Sequence, residues 1–174
     1  MNIAKVNSSI QKIVDAYKAK LSVYSEEVYQ TTPPINGWSY SEVYSHIFDS
    51  SLLSIMALQH CLTNKGEDKP TAFAVKVILF LGFLPPAKKY KVPKRLMDRV
   101  KKISKAEAFD FIHQFEKELA AVYGSIANSN NSSKTKHPRL GYLNAKQWFR
   151  FIEIHLKHHL KQLGRIEKSF QDQG

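Results

Sequence analysis

The chain is almost free of cysteine: Cys61 is the only one in 174 residues. A single cysteine excludes a disulfide within the chain and a zinc site built from cysteines. The first residues contain no apolar signal-peptide core, so export is not indicated. We therefore expect a cytoplasmic protein.

Long apolar runs are also missing. The longest spans residues 71–84 and is interrupted by Lys76. This run is too short to cross a bilayer, and it predicts a buried or interfacial helix. We expect no membrane as a partner.

Several well-known signatures are absent as well. The chain has no His-Glu-x-x-His, no glycine-rich phosphate loop and no Gly-x-Ser-x-Gly. No stretch alternates with a period of two, so we expect no β-sheet.

Acidic residues are scarce, and the net charge is +11. Residues 65–102 contain eleven Lys and Arg against three acidic residues, and residues 134–168 contain nine against two. Such asymmetry is typical of a surface for nucleic acid or acidic membrane, although a solvated basic face has the same composition. One alternative function is therefore a basic helical module that binds nucleic acid non-specifically. No helix carries Arg, Asn and Gln arranged to read bases, which disfavours nucleic acid as a partner.

Four long helices are predicted. Apolar residues follow helical spacing over 3–30, until the Pro33-Pro34 segment breaks the pattern. Three capping-box patterns start the other helices, which should end near residues 64, 128 and 170. Their capping pairs are Ser39 with Glu42, Ser104 with Glu107, and Asn144 with Gln147.

The lengths of the connections predict the topology. The short link after helix 1 makes helices 1 and 2 antiparallel neighbours. Residues 65–103 are long enough to cross the bundle, so helices 2 and 3 should run parallel, and the loop 129–143 turns helix 4 back. We expect an all-α fold: one domain over 1–174, an up-down-down-up four-helix bundle whose long crossover carries an extra short helix.

Two histidines lie where core residues are expected. His155 and His159 are four residues apart and belong to an apolar stripe, so they stack one turn apart and can hold one ion. His46 lies roughly 10 Å into helix 2, and antiparallel packing of helices 2 and 4 would bring it level with them. Three imidazoles leave a coordination position open, as in catalytic sites, and Zn²⁺ or Ni²⁺ suits them. The stripe is Trp148, Ile152, His155, His159, Leu163 and Ile166.

The other histidines are weaker candidates. His158 is rotated off the stripe, where it would contact a ligand residue or face solvent. His137 belongs to a loop that could cover the site, as a rim or pocket residue. His60 lies roughly 21 Å from the His46 level, too far for the same ion, and His113 is expected to be structural or exposed. Glu153 points away from His155, which makes it a weak general base.

These motifs resemble the DinB-like superfamily, in particular a bacterial branch of uncharacterised domains with His-x-x-His-His-x-x-Gln before Phe-Gly or Leu-Gly. The resemblance implies an up-down-down-up bundle with a divalent metal on His46, His155 and His159, often as a homodimer. It adds Trp38 and Gln162 to His137 and His158 as candidates for lining the pocket. The segments that carry it are 37–39 with Glu42 and His46, 137–141, Trp148, and 155–164.

The resemblance also implies a chemistry. Several relatives are thiol S-transferases that use bacillithiol, mycothiol or glutathione. A metal-dependent enzyme is therefore expected, one that acts on a small-molecule substrate through a metal-activated thiol or water, with a low-molecular-weight thiol as second cofactor. The remaining alternative is a non-catalytic metal-binding structural protein. The family pattern does not explain the basic segment 65–102.

Overall fold

The structure is a computed structural model and describes residues 1–85 and 99–172. Its helices and two short strands confirm the predicted all-α four-helix bundle. The long helices are α1 (Ile3–Val23), α3 (Tyr40–Leu62), α5 (Lys105–Ile126) and α6 (Ala145–Gln171); the short ones are α2 (Glu26–Gln30) and α4 (Phe73–Leu81); the strands are β1 (Lys134–His137) and β2 (Gly141–Asn144).

Contacts between α1 and α6 show that these helices run parallel. The Tyr17 hydroxyl donates to the Leu156 carbonyl at 2.9 Å. Further along both helices, Lys20 pairs with Glu167 at 2.6 Å. The first and last long helices therefore point the same way.

Helix α3 runs antiparallel to α6. Its first residue, Tyr40, stacks on Phe170, with ring centroids 5.9 Å apart. His46, further along α3, approaches His155, which lies earlier in α6. This antiparallel register brings the histidines of the two helices to one level.

Helices α3 and α5 run parallel. The Ser41 hydroxyl donates to the carbonyl of Ile103, just before α5, and the rings of Phe48 and Phe115 lie 5.8 Å apart. With α1 and α6 parallel, the topology is up-down-down-up as predicted.

One detail of the predicted topology is wrong: α1 and α3 are antiparallel but lie at opposite corners of the bundle. The backbones of both helices lie close to those of α5 and α6 and are further from each other. Large aromatic side chains bridge the centre between them, since Tyr17 makes edge contacts with Tyr44 and Phe48. A short link fixes the antiparallel direction of two helices but not which corners they occupy.

All three predicted capping boxes are present, so α3, α5 and α6 begin where the sequence indicates. The prediction of one helix over 3–30 is wrong. Tyr24 is extended, and the Ser25 side chain caps a separate short helix by accepting from the Val28 N–H. Because Tyr24 stacks on Tyr40 at 4.1 Å, tertiary packing favours this break.

The expectation of no β-sheet is also corrected. Strands β1 and β2 form an antiparallel hairpin within the predicted loop 129–143, with Lys134 opposite Asn144 and His137 opposite Gly141. Gly141 has φ +73°, the left-handed conformation that glycine adopts without strain. Four-residue strands are too short for their alternation to stand out in the sequence.

The predicted crossover helix is α4. Val75 and Leu79 are buried, and Arg150 of α6 donates to the Leu79 carbonyl at 3.0 Å. The crossover residues 86–98 lie outside the described part of the chain. Within the described part, no helix is both long and apolar enough to cross a membrane.

Candidate metal centre

Three histidines from two helices meet on one side of the bundle core. His46 of α3 and His155 and His159 of α6 each direct one ring nitrogen to a common point, and these three atoms lie within 4.8 Å of one another. The Nε2 atoms of His155 and His159 are 3.1 Å apart. Two nitrogen ligands of a tetrahedral zinc ion are separated by about 3.4 Å, so this spacing fits a shared ion.

Each ring of the cluster is neutral at pH 7. Burial lowers the pKa of His46 to about 4, despite the opposing effect of Asp49. Burial, followed by the neighbouring histidines, holds the pKa of His155 and of His159 well below the ordinary value. Metal binding requires neutral imidazole, so the cluster is already in its ligating state.

The two α6 histidines differ in the hydrogen bonding of Nδ1, the ring nitrogen that points away from the cluster. His159 Nδ1 lies 2.8 Å from the Gln162 side-chain oxygen, which accepts from it and leaves Nε2 to face the cluster. His155 Nδ1 is buried and has no hydrogen-bond partner among the described residues. Instead, Phe151, one turn earlier on α6, stacks on the His155 ring at 5.2 Å.

Trp38 lies immediately before the cap of α3 and contacts the cluster. Its ring is 4.9 Å from His46 and stacks parallel to His159 at 6.3 Å. The capping box at Ser39 fixes where α3 begins, and thereby the positions of both Trp38 and His46.

His137 reaches the same region from the hairpin. Trp148 of α6 donates to Thr135 at 2.7 Å, which ties β1 to the helix that carries two of the cluster histidines. The His137 ring contacts Trp148 and Phe151, and its Nδ1 accepts from the N–H groups of Arg139 and Leu140. Burial, then Arg139, lowers the pKa of His137 to about 4. The proton of the neutral ring is therefore on Nε2.

The weaker candidates lie where the sequence places them: His158 is beside the cluster, and His60 and His113 are away from it. His158 is partly buried, lines the same cavity and contacts the His159 ring at 5.1 Å. His60 and His113 are exposed and lie outside the cluster. Glu153 is buried in ion pairs with Arg150 and Lys157, so it does not serve the site as a base.

The cluster opens onto a cavity of about 1010 Å³. Apolar side chains from α3, α4 and α6 form much of its wall, including Leu53, Ile78 and Phe151. Lys136, Arg139 and Arg165 also line it, whereas no carboxylate does so among the described residues. The cavity therefore suits a small molecule with an apolar part and negative charge.

Sequence reasoning missed part of this wall. Phe151 could have been found, because it lies one turn before His155 on the same helix face. Arg165 could also have been found, because it lies one turn after Gln162 and two turns after His158 on the same face of α6. Ile78 could not, because it reaches the cavity through the packing of α4 against the bundle. All of the predicted site residues line the cavity: the ligands His46, His155 and His159, and the pocket candidates Trp38, His137, His158 and Gln162.

The fold agrees with comparisons to known proteins. A crystal structure of TT2238, described as a four-helix bundle protein, matches with a TM-score of 0.60 and 14% identity, over 94% of this chain and 99% of that chain. At this identity the match supports the fold alone. No curated protein matches the chain significantly. The family model of the DinB superfamily matches residues 12–163, so the chain belongs to the DinB superfamily.

Proposed function

We propose that this chain is a metal-dependent enzyme in which His46, His155 and His159 hold one divalent ion, Zn²⁺ or Ni²⁺. The observation that carries the proposal is three neutral imidazoles with ligand atoms within 4.8 Å at the wall of a large cavity. A purely structural site is normally closed by four protein ligands, whereas this one faces space for a small molecule. A divalent ion held there would lower the pKa of a thiol or water that completes its coordination.

The cavity wall supports an anionic thiol as the cofactor. Lys136 and Arg165 offer positive charge at this wall, and guanidinium groups bind carboxylates through paired hydrogen bonds. The apolar residues Leu53 and Ile78 of the same wall would hold the uncharged part of a second substrate. In the reaction that we propose, the thiolate sulfur would attack an electrophilic carbon of that substrate and form a carbon–sulfur bond. The bond from this carbon to its leaving group would break, and the leaving group would depart with the electron pair.

His137 would position the thiol. Two backbone N–H groups occupy its Nδ1, so the ring is a hydrogen-bond donor through Nε2. A neutral donor in the cavity can bind an anionic group without repelling a metal ion. We therefore expect His137→Ala to keep the metal but to weaken thiol binding.

Cobalt substitution tests this proposal. A thiol that binds the ion as thiolate gives a sulfur-to-metal charge-transfer band near neutral pH, where most free thiol is protonated. We expect this band on adding a low-molecular-weight thiol to cobalt-loaded protein. It should be absent in His46→Ala, and it should persist in the matched control His113→Ala, which alters an exposed histidine of α5.

Two outcomes of the cobalt experiment would contradict parts of this proposal. A cobalt spectrum that responds to no thiol would contradict S-transfer and leave metal-assisted hydrolysis or a non-catalytic structural site. A band that survives in His46→Ala would contradict the assignment of His46 as a ligand.

A further inference from the structure

Helix α4 has two apolar faces, and only one of them packs against the bundle. Val75 and Leu79 are buried. On the opposite side, Phe73 is 80% exposed, Phe80 84% and Leu81 53%. These three residues and Val77 occupy positions i, i+4, i+7 and i+8, which form one continuous stripe on a helix. We call this stripe the α4 outer face.

The α4 outer face belongs to a helix that is held in place. Arg150 donates to the Leu79 carbonyl, and the left-handed Gly82 ends the helix by donating its N–H to the Ile78 carbonyl. Phe83, directly after this cap, is also 53% exposed. The exposure of these rings is therefore a property of a packed helix.

We propose that the α4 outer face docks this protein on the surface of an anionic lipid bilayer. A helix that lies in the plane of the interface inserts its apolar side chains just below the headgroups, and basic residues beside it bind anionic lipid. Such docking needs no membrane-spanning segment. The absence of a span, from which we expected no membrane partner, does not exclude it.

The sequence that contains α4 is basic, which favours such a surface. The segment 65–102, which contains α4, has eleven Lys and Arg against three acidic residues. Lys76, on α4 itself, is exposed, and Lys69 is exposed but paired with Glu67 at 2.7 Å. Each basic residue near an anionic bilayer strengthens binding about fivefold, so this charge would reinforce the apolar contact.

A second copy of the chain is a poorer occupant. Two copies that met through this face would bring two strongly basic segments together, which costs free energy. The area is also small: Phe73, Phe80 and Phe83 together expose on the order of 400 Å², about half of what each partner of a stable complex buries. The homodimer that the family resemblance implies would then use another face.

An acidic protein partner is also less favoured. Phe73 and Phe80 stand clear of their neighbours, since four fifths of each residue is exposed. Protein partners more often bind an anchor residue in a fitted pocket, whereas projecting rings enter a fluid bilayer without a preformed site. The anionic bilayer therefore agrees best with both the shape and the charge.

Vesicle flotation tests the proposal directly. The full chain is mixed with vesicles of phosphatidylcholine alone or with phosphatidylglycerol added. We expect binding to the anionic vesicles only, weakened by salt. Loss of an inserted phenylalanine costs about tenfold in partitioning, so Phe73→Ser with Phe80→Ser should reduce binding by far more than tenfold.

The matched control removes two exposed apolar residues elsewhere, Val23→Ser with Ile35→Ser, and should bind like the unaltered protein. Thermal melts of both double variants check that the fold is retained. Equal binding of the Phe73→Ser/Phe80→Ser variant to anionic vesicles would overturn the proposal, because charge alone would then explain the binding. No binding by the unaltered protein would also overturn it. A dimer in light scattering that this variant abolishes would assign the face to a second copy instead.

Discussion

The His159 Nδ1–H donates to the Gln162 side-chain oxygen across 2.8 Å, three residues further along α6. This bond fixes the ring tautomer and directs the lone pair of Nε2 toward His155 and His46. Hydrogen bonds to the outer nitrogen of a metal-binding histidine orient the ring and raise its basicity. Gln162 therefore belongs to the candidate centre even though it would not touch the ion.

Replacing Gln162 should weaken metal binding without abolishing it. Removal of such a partner typically costs about 10- to 100-fold in affinity, so we expect this loss in Gln162→Ala. Gln162→Glu keeps an acceptor and should lose less. Competition with a chromophoric chelator measures the affinities, with the exposed Lys161→Ala as control. Unchanged affinity in Gln162→Ala would show that the bond does not support the site.

The positive cavity wall leads to a second prediction. Arg165→Gln removes one guanidinium from the lining, so an anionic thiol should bind roughly two- to fivefold more weakly, the range of an exposed ion pair. Metal content should not change. Titration of the cobalt band gives the thiol affinity, and Lys168→Gln, an exposed position outside the lining, is the control. Equal losses in the two variants would indicate a general effect of net charge.

The depressed pKa of His137 predicts how the metal-free protein responds to acid. Its pKa in the folded protein is about 4, below the ordinary value near 6.5. As pH falls through 6.5, the unfolded chain gains a proton at this residue that the folded chain does not. The free energy of unfolding must therefore fall between about pH 6.5 and pH 4.

Denaturant titrations in the presence of a chelator test this dependence. His137→Gln removes the group, so its slope of unfolding free energy against pH should be shallower by up to about 1.4 kcal/mol per pH unit. The comparison is with the unaltered protein in the same buffers. Parallel slopes for the two proteins would contradict a buried, neutral His137.

The sequence predicts the structural features that depend on contacts between residues close together in the chain. The pairs at Ser39, Ser104 and Asn144 mark the starts of helices because each capping bond joins residues three positions apart. The end of α1 was missed because it depends on Tyr24 stacking on Tyr40, a contact between helices. The hairpin was missed because its pairing depends on the turn at Gly141.

The histidine cluster was predictable because helical rise and an antiparallel register fix the levels of His46, His155 and His159. Its surroundings were not. The cavity combines α3, α4, α6 and the hairpin, and nothing in the sequence indicates that Ile78 of α4 shares a wall with Lys136 and Arg165. The two apolar faces of α4 could be read from its sequence, but only the packing shows which face stays exposed.

The basic surface leads to a further prediction about nucleic acid. We expect duplex DNA to bind weakly at low ionic strength, through phosphates alone, and to be released near physiological salt. Fluorescence anisotropy over a salt series measures this dependence. A preference for one sequence that persists at physiological salt would favour the alternative of a nucleic-acid-binding module.

The metal content of the protein, purified without a histidine tag, tests the central claim most directly. His155→Ala and His159→Ala are analysed beside the unaltered chain, with His60→Ala as an exposed control. We expect about one divalent ion per chain in the unaltered protein and the control, and none in the two variants, because two imidazoles alone hold an ion weakly. A chain without metal after growth with zinc and nickel, or full metal content in both variants, would contradict a three-histidine centre.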